Sequence, residues 1–419
     1  MTEESTKSTQ PSKQPLLNNQ LKLFMLGMVL ANVGGNMYGA LLPLYLTELE
    51  ASVVQVGVFF TLSRIFPLVL QILGGWVSDS LGRLRSIALG SIAGMFSYVG
   101  LLLAPTWQWV LLSEGLGAVT RSLIGPSFSA FIAEQSSADT RARVFAVTQT
   151  IFGVVSVIGP PLGGWLTDAY GFKVMILCAG AIYTAAATIR LGMARAAARS
   201  SEADPRQLSL SSLRANVGVI AGMIVSGGLF TWIMITDGIT DISSSLSFDL
   251  LPLYMEEIGG LNAQQIGWLF STFGVCNMAA NIPAGWLADR KGERAAIALG
   301  QALNFGALII FLRARVYPGY MLAWALFGLG VGMSGPAYQS LTSKVVPERL
   351  RGIAFGLLHS SLGIFSLPAP AIGAQLWQRF SPRLPFQLTA GAVLFSIVPI
   401  WLKFKTPEAD ADGLPSADT

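Results

Sequence analysis

Charged side chains are scarce in this chain of 419 residues. Only 12% of its residues are charged, whereas ordinary globular domains carry about 25%. Hydrophobic residues make up 52% of the chain and the mean hydropathy is +0.57. This composition excludes a soluble enzyme with a large core and indicates a membrane protein with several spans. The net charge of +4 gives no indication of nucleic-acid binding.

Groups for covalent, metal or nucleotide chemistry are equally scarce. The two cysteines, Cys178 and Cys276, lie in apolar segments and form neither a disulfide framework nor a metal-ligand spacing. HExxH, GxSxG and CxxC patterns are absent, and so is a phosphate-binding loop with lysine. The run GVGMSG at 330–335 fits GxGxxG, but it lies in a predicted helix with no preceding strand, so it fails as a nucleotide site. The sequence therefore predicts a protein that is not an enzyme and holds no cofactor or metal.

Long apolar runs take the place of these groups. A helix that spans a bilayer needs about 20 apolar residues. Twelve runs meet this need, and they predict an all-α membrane protein with spans at 22–46, 53–77, 86–104, 107–134, 143–167, 172–190, 229–254, 263–287, 295–313, 318–343, 350–376 and 384–403.

The basic residues predict the orientation of these spans. Of the 27 Lys and Arg residues, twenty fall in the loops on the side of the termini and only five on the other side. Because basic loops stay in the cytoplasm, both termini are expected there. Residues 215–236 are apolar as well, but a further crossing would reverse all later loops. We therefore expect a long or broken seventh span, or a surface helix that leads into it.

The chain repeats itself. GWVSDSLGRLRSIALG at 75–90 matches GWLADRKGERAAIALG at 285–300, and GPPLGG at 159–164 matches APAIGA at 369–374. The offset is 210 residues from residue 55 onward. The repeat predicts two pseudo-symmetric six-helix halves at 22–190 and 215–405, joined by a linker at 191–214, with flexible tails at 1–21 and 406–419. Two equal helical halves suggest alternating access about a central cavity.

The loop between predicted spans 2 and 3 carries a family resemblance. It reads Gly75, Asp79, Gly82, Arg83 and Arg85, and its second copy reads Gly285, Asp289, Gly292 and Arg294, with Glu293 in place of Arg83. This pattern resembles the major facilitator superfamily, over essentially the whole chain. The resemblance implies that the first cluster contacts span 11 and latches the cytoplasmic side in the outward-open state. Alternatively, the arginines only set the topology. Since the copies differ, Asp79→Asn is expected to impair transport more than Asp289→Asn.

A second motif resembles the exporters of that family. Gly159, Pro160, Gly163 and Gly164 lie in predicted span 5, where prolines break the helix ladder and glycines allow close packing. The sequence also departs from the drug-exporter pattern. The arginine that usually precedes Gly-x-Gly in span 4 falls near Leu111, and the nearest arginine is Arg121.

Polar residues inside the predicted spans are candidates for a substrate and proton cavity, because ionisable groups in lipid are costly and normally face an interior. They are Asn32, Asn36, Arg64, Glu114, Arg121, Gln149, Asp237, Asp241 and His359. Glu114 and Arg121 lie seven residues apart on one helix face, as a cavity pair or as a structural ion pair. Asp241 is the first choice for a carboxylate that carries protons. His359 either couples protons or packs as a hydrogen-bonding residue.

These residues predict a secondary transporter of the inner membrane that works by alternating access, with proton-coupled efflux of an amphipathic or drug-like small molecule. Uptake of a sugar or small organic ion is the alternative, and Arg64 and Arg121 would attract an anion. A non-transporting polytopic receptor or assembly factor is a lesser alternative. The expected partners are a small-molecule substrate, protons and the lipid bilayer, without nucleic acid, and the expected state is a monomer.

Overall fold

The computed structural model describes residues 19–68, 70, 82–136, 140–197, 228–346 and 365–404. Within these ranges the chain is α-helical, with one short 3-10 turn and no strand. The helices are α1 (Asn19–Gly39), α2 (Leu42–Glu48), α3 (Val53–Ser63), α4 (Arg83–Leu103), α5 (Trp107–Gln135), α6 (Arg141–Tyr170), α7 (Phe172–Ala197), α8 (Leu229–Ser247), α9 (Leu251–Glu257), α10 (Ala263–Lys291), α11 (Glu293–Arg313), α12 (Tyr317–Val345), α13 (Ala369–Arg379) and α14 (Leu384–Lys403); the 3-10 turn, Phe248–Leu250, joins α8 to α9.

The helix boundaries recur along the chain with the period of the sequence. Helices α4 and α11 begin and end 210 residues apart, and so do α5 and α12. We call α1–α7 the first copy and α8–α14 the second copy. One extra residue lies in the second copy near the position of residue 50. Before that point positions correspond at an offset of 209, and after it they correspond at 210. Equal local sequence thus gives equal helix ends in both copies.

The residues at the helix starts explain these boundaries. Ser52 and Gln55 form a reciprocal capping box at the start of α3, and Asn262 and Gln265 form the same box at the start of α10. Such boxes satisfy two amide donors that a helix start leaves free. Gly82 and Gly292 precede α4 and α11 with φ of 85° and 83°, a conformation that favours glycine.

Within the described residues, six helices are long and apolar enough to cross a membrane. They are α4, α5, α6, α7, α11 and α14, and α1 with α2 would make a seventh as one span bent by 52°. The predicted spans 2 and 11 run into residues outside the described ranges, so the count of twelve stays a prediction. Helix α7 continues to Ala197, seven residues past the predicted end of span 6.

The long helices run alternately up and down, because single residues or short turns join them. Gly171 alone separates α6 from α7, and Gly292 alone separates α10 from α11. The bundle therefore has a terminal end, where α1 begins and α14 ends, and a distal end, where α6 ends and α10 begins. The two copies contact each other mainly through α6 with α10 and through α3 with α13.

Candidate functional site

A cavity of about 460 Å³ lies inside the first copy, between α1, α4, α5 and α7. Three predicted site residues, Asn32, Asn36 and Arg121, line it together. The two asparagines donate their amide groups to main-chain carbonyls one turn earlier, at 2.8 Å each, which leaves their side-chain oxygens as acceptors. The cavity is thus lined mostly by apolar surface, with polar groups supplied by these predicted residues.

Glu114 and Arg121 form an ion pair along one face of α5. An Arg121 Nη2 atom lies 3.1 Å from Glu114 Oε2, and the hydroxyl of Tyr38 in α1 donates to Glu114 Oε1 over 3.2 Å. The side chain of Glu114 is 9% exposed and that of Arg121 is 55% exposed. The seven-residue spacing places the two side chains on one face of α5, with a buried carboxylate and a guanidinium that reaches the cavity.

Arg190 is a candidate site residue that sequence analysis did not single out. Its position at the predicted end of span 6 placed it among the loop arginines, but α7 continues beyond it and the residue is 1% exposed. Its guanidinium donates to the Ser91 hydroxyl at 3.3 Å and the Gly27 carbonyl at 3.1 Å, and contacts Met28 Sδ at 3.0 Å. Arg190 also lines the cavity of the first copy. The apolar residues on both sides of Arg190 were the sequence signal that could have indicated its burial.

The second copy has a corresponding cavity of about 430 Å³ between α8, α11, α12 and α14. Asp237 lines it with Gln301, Asn304 and Tyr338. Asp237 corresponds to Met28 of the first copy, so an acid stands where the first copy has a thioether. Asp241, one turn further along α8, is exposed.

Arg64 connects the two copies. One of its guanidinium nitrogens lies 2.7 Å from Asp249 Oδ2 in the 3-10 turn after α8. The Thr61 hydroxyl, one turn earlier, accepts from the main-chain amide of Ala371 at 3.2 Å. Both contacts lie toward the distal end, so Arg64 belongs to the junction between copies, and its guanidinium is already engaged by an acid.

The glycine and proline residues of GPPLGG also lie at this junction. A Cβ atom at Gly163 would collide with the Met37 carbonyl, and one at Gly164 would collide with α10 at Ala263. Gly267 of α10 packs on the Pro160 carbonyl, and Gly57 of α3 packs reciprocally on the Pro370 carbonyl. The motif therefore permits close packing within the first copy and between the copies.

Asp168 lies at the distal end of the α6–α10 contact. Its two carboxylate oxygens accept from the main-chain amides of Ala263 at 3.1 Å and Gln264 at 2.9 Å. Free amides and the positive dipole end of a helix favour a carboxylate at that place. The acid of one copy thus caps a helix of the other.

The α6–α10 contact ends midway along the bundle. About midway along the bundle, a Cβ at Gly153 of α6 would meet the side chain of Met278 of α10. One turn further on the same helix faces, Gln149 is exposed and Ile282 is 84% exposed. Toward the distal end, therefore, α6 and α10 pack closely, and toward the terminal end these two residues of the facing surfaces are exposed.

The loop motifs lie at the terminal end, where the structure covers part of them. Gly75, Asp79 and His359 fall outside the described residues. Arg83 Nε lies 3.3 Å from Glu134 Oε1 in α5, whereas Glu293 Oε1 accepts from Lys344 Nζ at 2.5 Å and from Ser340 at 2.9 Å. Arg85 and Asp289 are exposed, and the Arg294 guanidinium lies 5.2 Å from the ring centroid of Trp401.

Comparison with known proteins identifies this architecture. The family model for the Major Facilitator Superfamily matches residues 24–248 and 233–418. Multidrug resistance protein MdtG of Citrobacter koseri is 25% identical over 406 residues, which are 93% of this chain and 96% of the relative. MdtG of Klebsiella pneumoniae is 26% identical over 411 residues, with 93% and 95% covered.

Two solved structures share the fold. A peptide transporter POT in complex with sulfate has a TM-score of 0.71 at 13% identity, with 91% of this chain and 93% of that chain covered. A bacterial homologue of the iron transporter ferroportin in the inward-facing state has a TM-score of 0.72 at 16% identity, with 92% and 98% covered. The family match confirms the resemblance drawn from the sequence. This chain belongs to the major facilitator superfamily, and it is an integral membrane protein and a secondary transporter rather than an enzyme.

Proposed function

We propose that this protein exports amphipathic, drug-like small molecules by alternating access, driven by protons. The observation that carries the proposal is the Tyr38–Glu114–Arg121 network beside the cavity of the first copy. Export fits relatives that are named multidrug resistance proteins. It also fits GPPLGG, which resembles the exporter motif in residues Gly159, Pro160, Gly163 and Gly164.

Glu114 is suited to exchange protons with substrate. A buried carboxylate keeps its charge only while charged or hydrogen-bonding partners compensate for lost hydration. Here a cation and one hydroxyl supply that compensation, and the cation is more than half exposed. Export driven by an inward proton gradient requires substrate and proton to alternate, so we propose that Glu114 takes up a proton after substrate has left and releases it when substrate binds. In the second copy Trp324 and Val331 replace the pair, so the fold does not require it.

The other acids have secondary roles in this proposal. Asp241 stays the proposed carrier on α8, since it is exposed where the copies separate, and Asp237 lines the second cavity. Asn32 and Asn36 offer acceptors to substrate, whereas Gln149 and His359 are proposed to line the path toward the terminal end. Arg64 holds Asp249 at the distal end.

The cluster of Gly75, Asp79, Gly82, Arg83 and Arg85, with its copy at Gly285, Asp289, Gly292 and Arg294, is proposed to latch the terminal end when the distal end opens. Setting the topology is the alternative role of these charges.

The proposed layout has twelve spans in two six-helix halves, a monomer in the inner membrane, and both termini in the cytoplasm. The recurrence of helix boundaries supports the halves, and the excess of basic residues on the terminal side supports the orientation.

Flux into proteoliposomes tests the proposal. A panel of fluorescent amphipathic compounds of positive, negative and zero charge is offered with and without a pH gradient. We expect gradient-dependent movement of at least one compound, abolished in Glu114→Gln and reduced in Asp241→Asn. Movement that ignores both the gradient and the two substitutions would overturn the coupling assignment.

A further inference from the structure

Arg190 brings a buried positive charge to the cavity of the first copy. Its described partners are a hydroxyl, a main-chain carbonyl and a thioether, none of which carries a negative charge. Its Nε atom is buried without a hydrogen bond of normal geometry among the described residues. A buried cation without a counter-charge is costly, so a charged Arg190 at this position needs a compensating group.

The repeat shows that the fold does not need this arginine. The corresponding residue of the second copy is Ile400, which is fully buried at the same place on α14. A buried aliphatic side chain therefore satisfies the packing of that position. The ring of Tyr183, with its centroid 5.9 Å from the Arg190 guanidinium carbon, adds a cation–π contact but no charge.

The charges that line the two cavities are opposite in sign. Among the lining residues, Arg121 and Arg190 are the charged ones in the first copy and Asp237 is the charged one in the second. Glu114 neutralises Arg121, which leaves the charge of Arg190 in excess. A cavity of about 460 Å³ has the size of a small-molecule site.

We propose that the cavity of the first copy binds the anionic group of an amphipathic substrate, with Arg190 as its principal partner and Arg121 as a second one. A carboxylate is the chemical class that pairs best with a guanidinium that has no acidic partner. The apolar part of the substrate would lie against Ile124 and Tyr98, which line the same cavity. This inference rests on the proposal that the cavities receive substrate, and it narrows the substrate class.

Binding to the purified protein in a neutral, lipid-free detergent tests this site without any flux measurement. The probes are 2-naphthoate and its uncharged analogue 2-naphthamide, measured by calorimetry and by thermal stabilisation. Because no gradient, vesicle or transport step is involved, the export proposal can fail while this one succeeds. Anionic lipid headgroups are tested separately, by repeating the titration in the presence of phosphatidylglycerol.

The expected result is binding of naphthoate at least tenfold tighter than that of naphthamide, since a hydrogen bond to a charged group is worth about a factor of ten or more. Arg190→Gln should remove this preference, and Arg190→Lys, which keeps the charge, should retain part of it. Arg195→Gln is the matched control, because it removes one positive charge from an exposed position of the same helix, and it should bind as the wild type does.

Three results would overturn the proposal. They are equal binding of naphthoate and naphthamide by the wild type, an unchanged preference in a folded Arg190→Gln protein, and an equal loss in Arg195→Gln. If Arg190→Gln does not fold, Arg190→Lys is measured instead. Direct contact is contradicted if Arg190→Lys prefers naphthoate over naphthamide as strongly as the wild type does and inorganic sulfate does not compete with naphthoate. The site is assigned to a lipid headgroup instead if two results are found together. Phosphatidylglycerol abolishes naphthoate binding, and without that lipid naphthoate binds no more tightly than naphthamide.

Discussion

Glu293 occupies the position in the second copy that Arg83 occupies in the first, and each forms an ion pair with a residue at equivalent positions. Arg83 pairs with Glu134 across 3.3 Å, and Glu293 pairs with Lys344 across 2.5 Å. Since Lys344 lies 210 residues after Glu134, the same link between adjacent helices is made with the charges exchanged. The substitution that distinguishes the two loop motifs is therefore one half of a compensated pair.

The two ion pairs are expected to differ in their contribution to stability. Glu293 is 4% exposed, so Lys344→Gln leaves a buried carboxylate with Ser340 and its own helix-start amide as described partners, which should cost about 1–3 kcal/mol. Glu134→Gln removes an exposed partner from Arg83 and should cost about 0.2–1 kcal/mol. Melting temperatures of the purified variants test this, and an equal decrease for both would contradict it.

Exchange of the charges tests whether the two pairs are equivalent. Arg83→Glu combined with Glu134→Lys recreates the second-copy arrangement in the first copy. The double variant should be more stable than either single variant, because opposite charges face each other again. A double variant whose loss equals the sum of the two single losses would show that the pair does not couple the helices.

Close packing between the copies should make Gly267 intolerant of even one methyl group. A Cβ there meets the main chain of Pro160 in α6, which cannot move as a flexible side chain does. We expect Gly267→Ala to lower the melting temperature and reduce transport, at a cost of about 1–3 kcal/mol. Gly306→Ala is the control, since a Cβ at Gly306 has open space. Similar behaviour of the two variants would refute the packing argument.

The Arg64–Asp249 pair should hold the distal end closed. Asp249→Asn weakens a contact of 2.7 Å between the copies, so the population open at the distal end should grow. Its measure is the labelling rate of a cysteine placed at Asn36, in a background where Cys178 and Cys276 are replaced by serine. Arg64→Lys should behave more like the wild type. An unchanged labelling rate in Asp249→Asn would assign the pair to folding alone.

The copies of the loop motif should also differ in transport. Asp79→Asn is expected to impair transport more than Asp289→Asn, because the first copy has Arg83 and Arg85 as cationic neighbours and the second has Glu293 at the position of Arg83. Initial transport rates of both variants at matched expression test this. Equal rates would indicate that the two clusters contribute equally to transport.

Sequence periodicity predicted the parts of this molecule that depend on local pattern. The repeat predicted the recurrence of α4 as α11, and the spacing of seven residues placed Glu114 and Arg121 on one helix face. Contacts between distant segments were not predictable in this way. Nothing local indicates that Asp168 caps α10, that Tyr38 reaches Glu114, or that Arg64 reaches Asp249, since these depend on how separate helices pack.

Arg190 shows how a correct rule can misplace a residue. Basic residues near span ends usually set topology, and Arg190 lies at the predicted end of an apolar run. Helix α7 instead continues for seven residues and buries it. The repeat would have indicated the difference, because the equivalent Ile400 lies within the last predicted span.

Proton coupling through Glu114 is the central claim, and flux in proteoliposomes measures it most directly. The wild type should move a transported compound only when a pH gradient is present, and Glu114→Gln should move it at the rate of empty vesicles. Glu48→Gln, which neutralises an exposed glutamate of α2 in the same copy, should keep gradient-driven flux. Gradient-driven flux in Glu114→Gln at the wild-type rate would contradict the account.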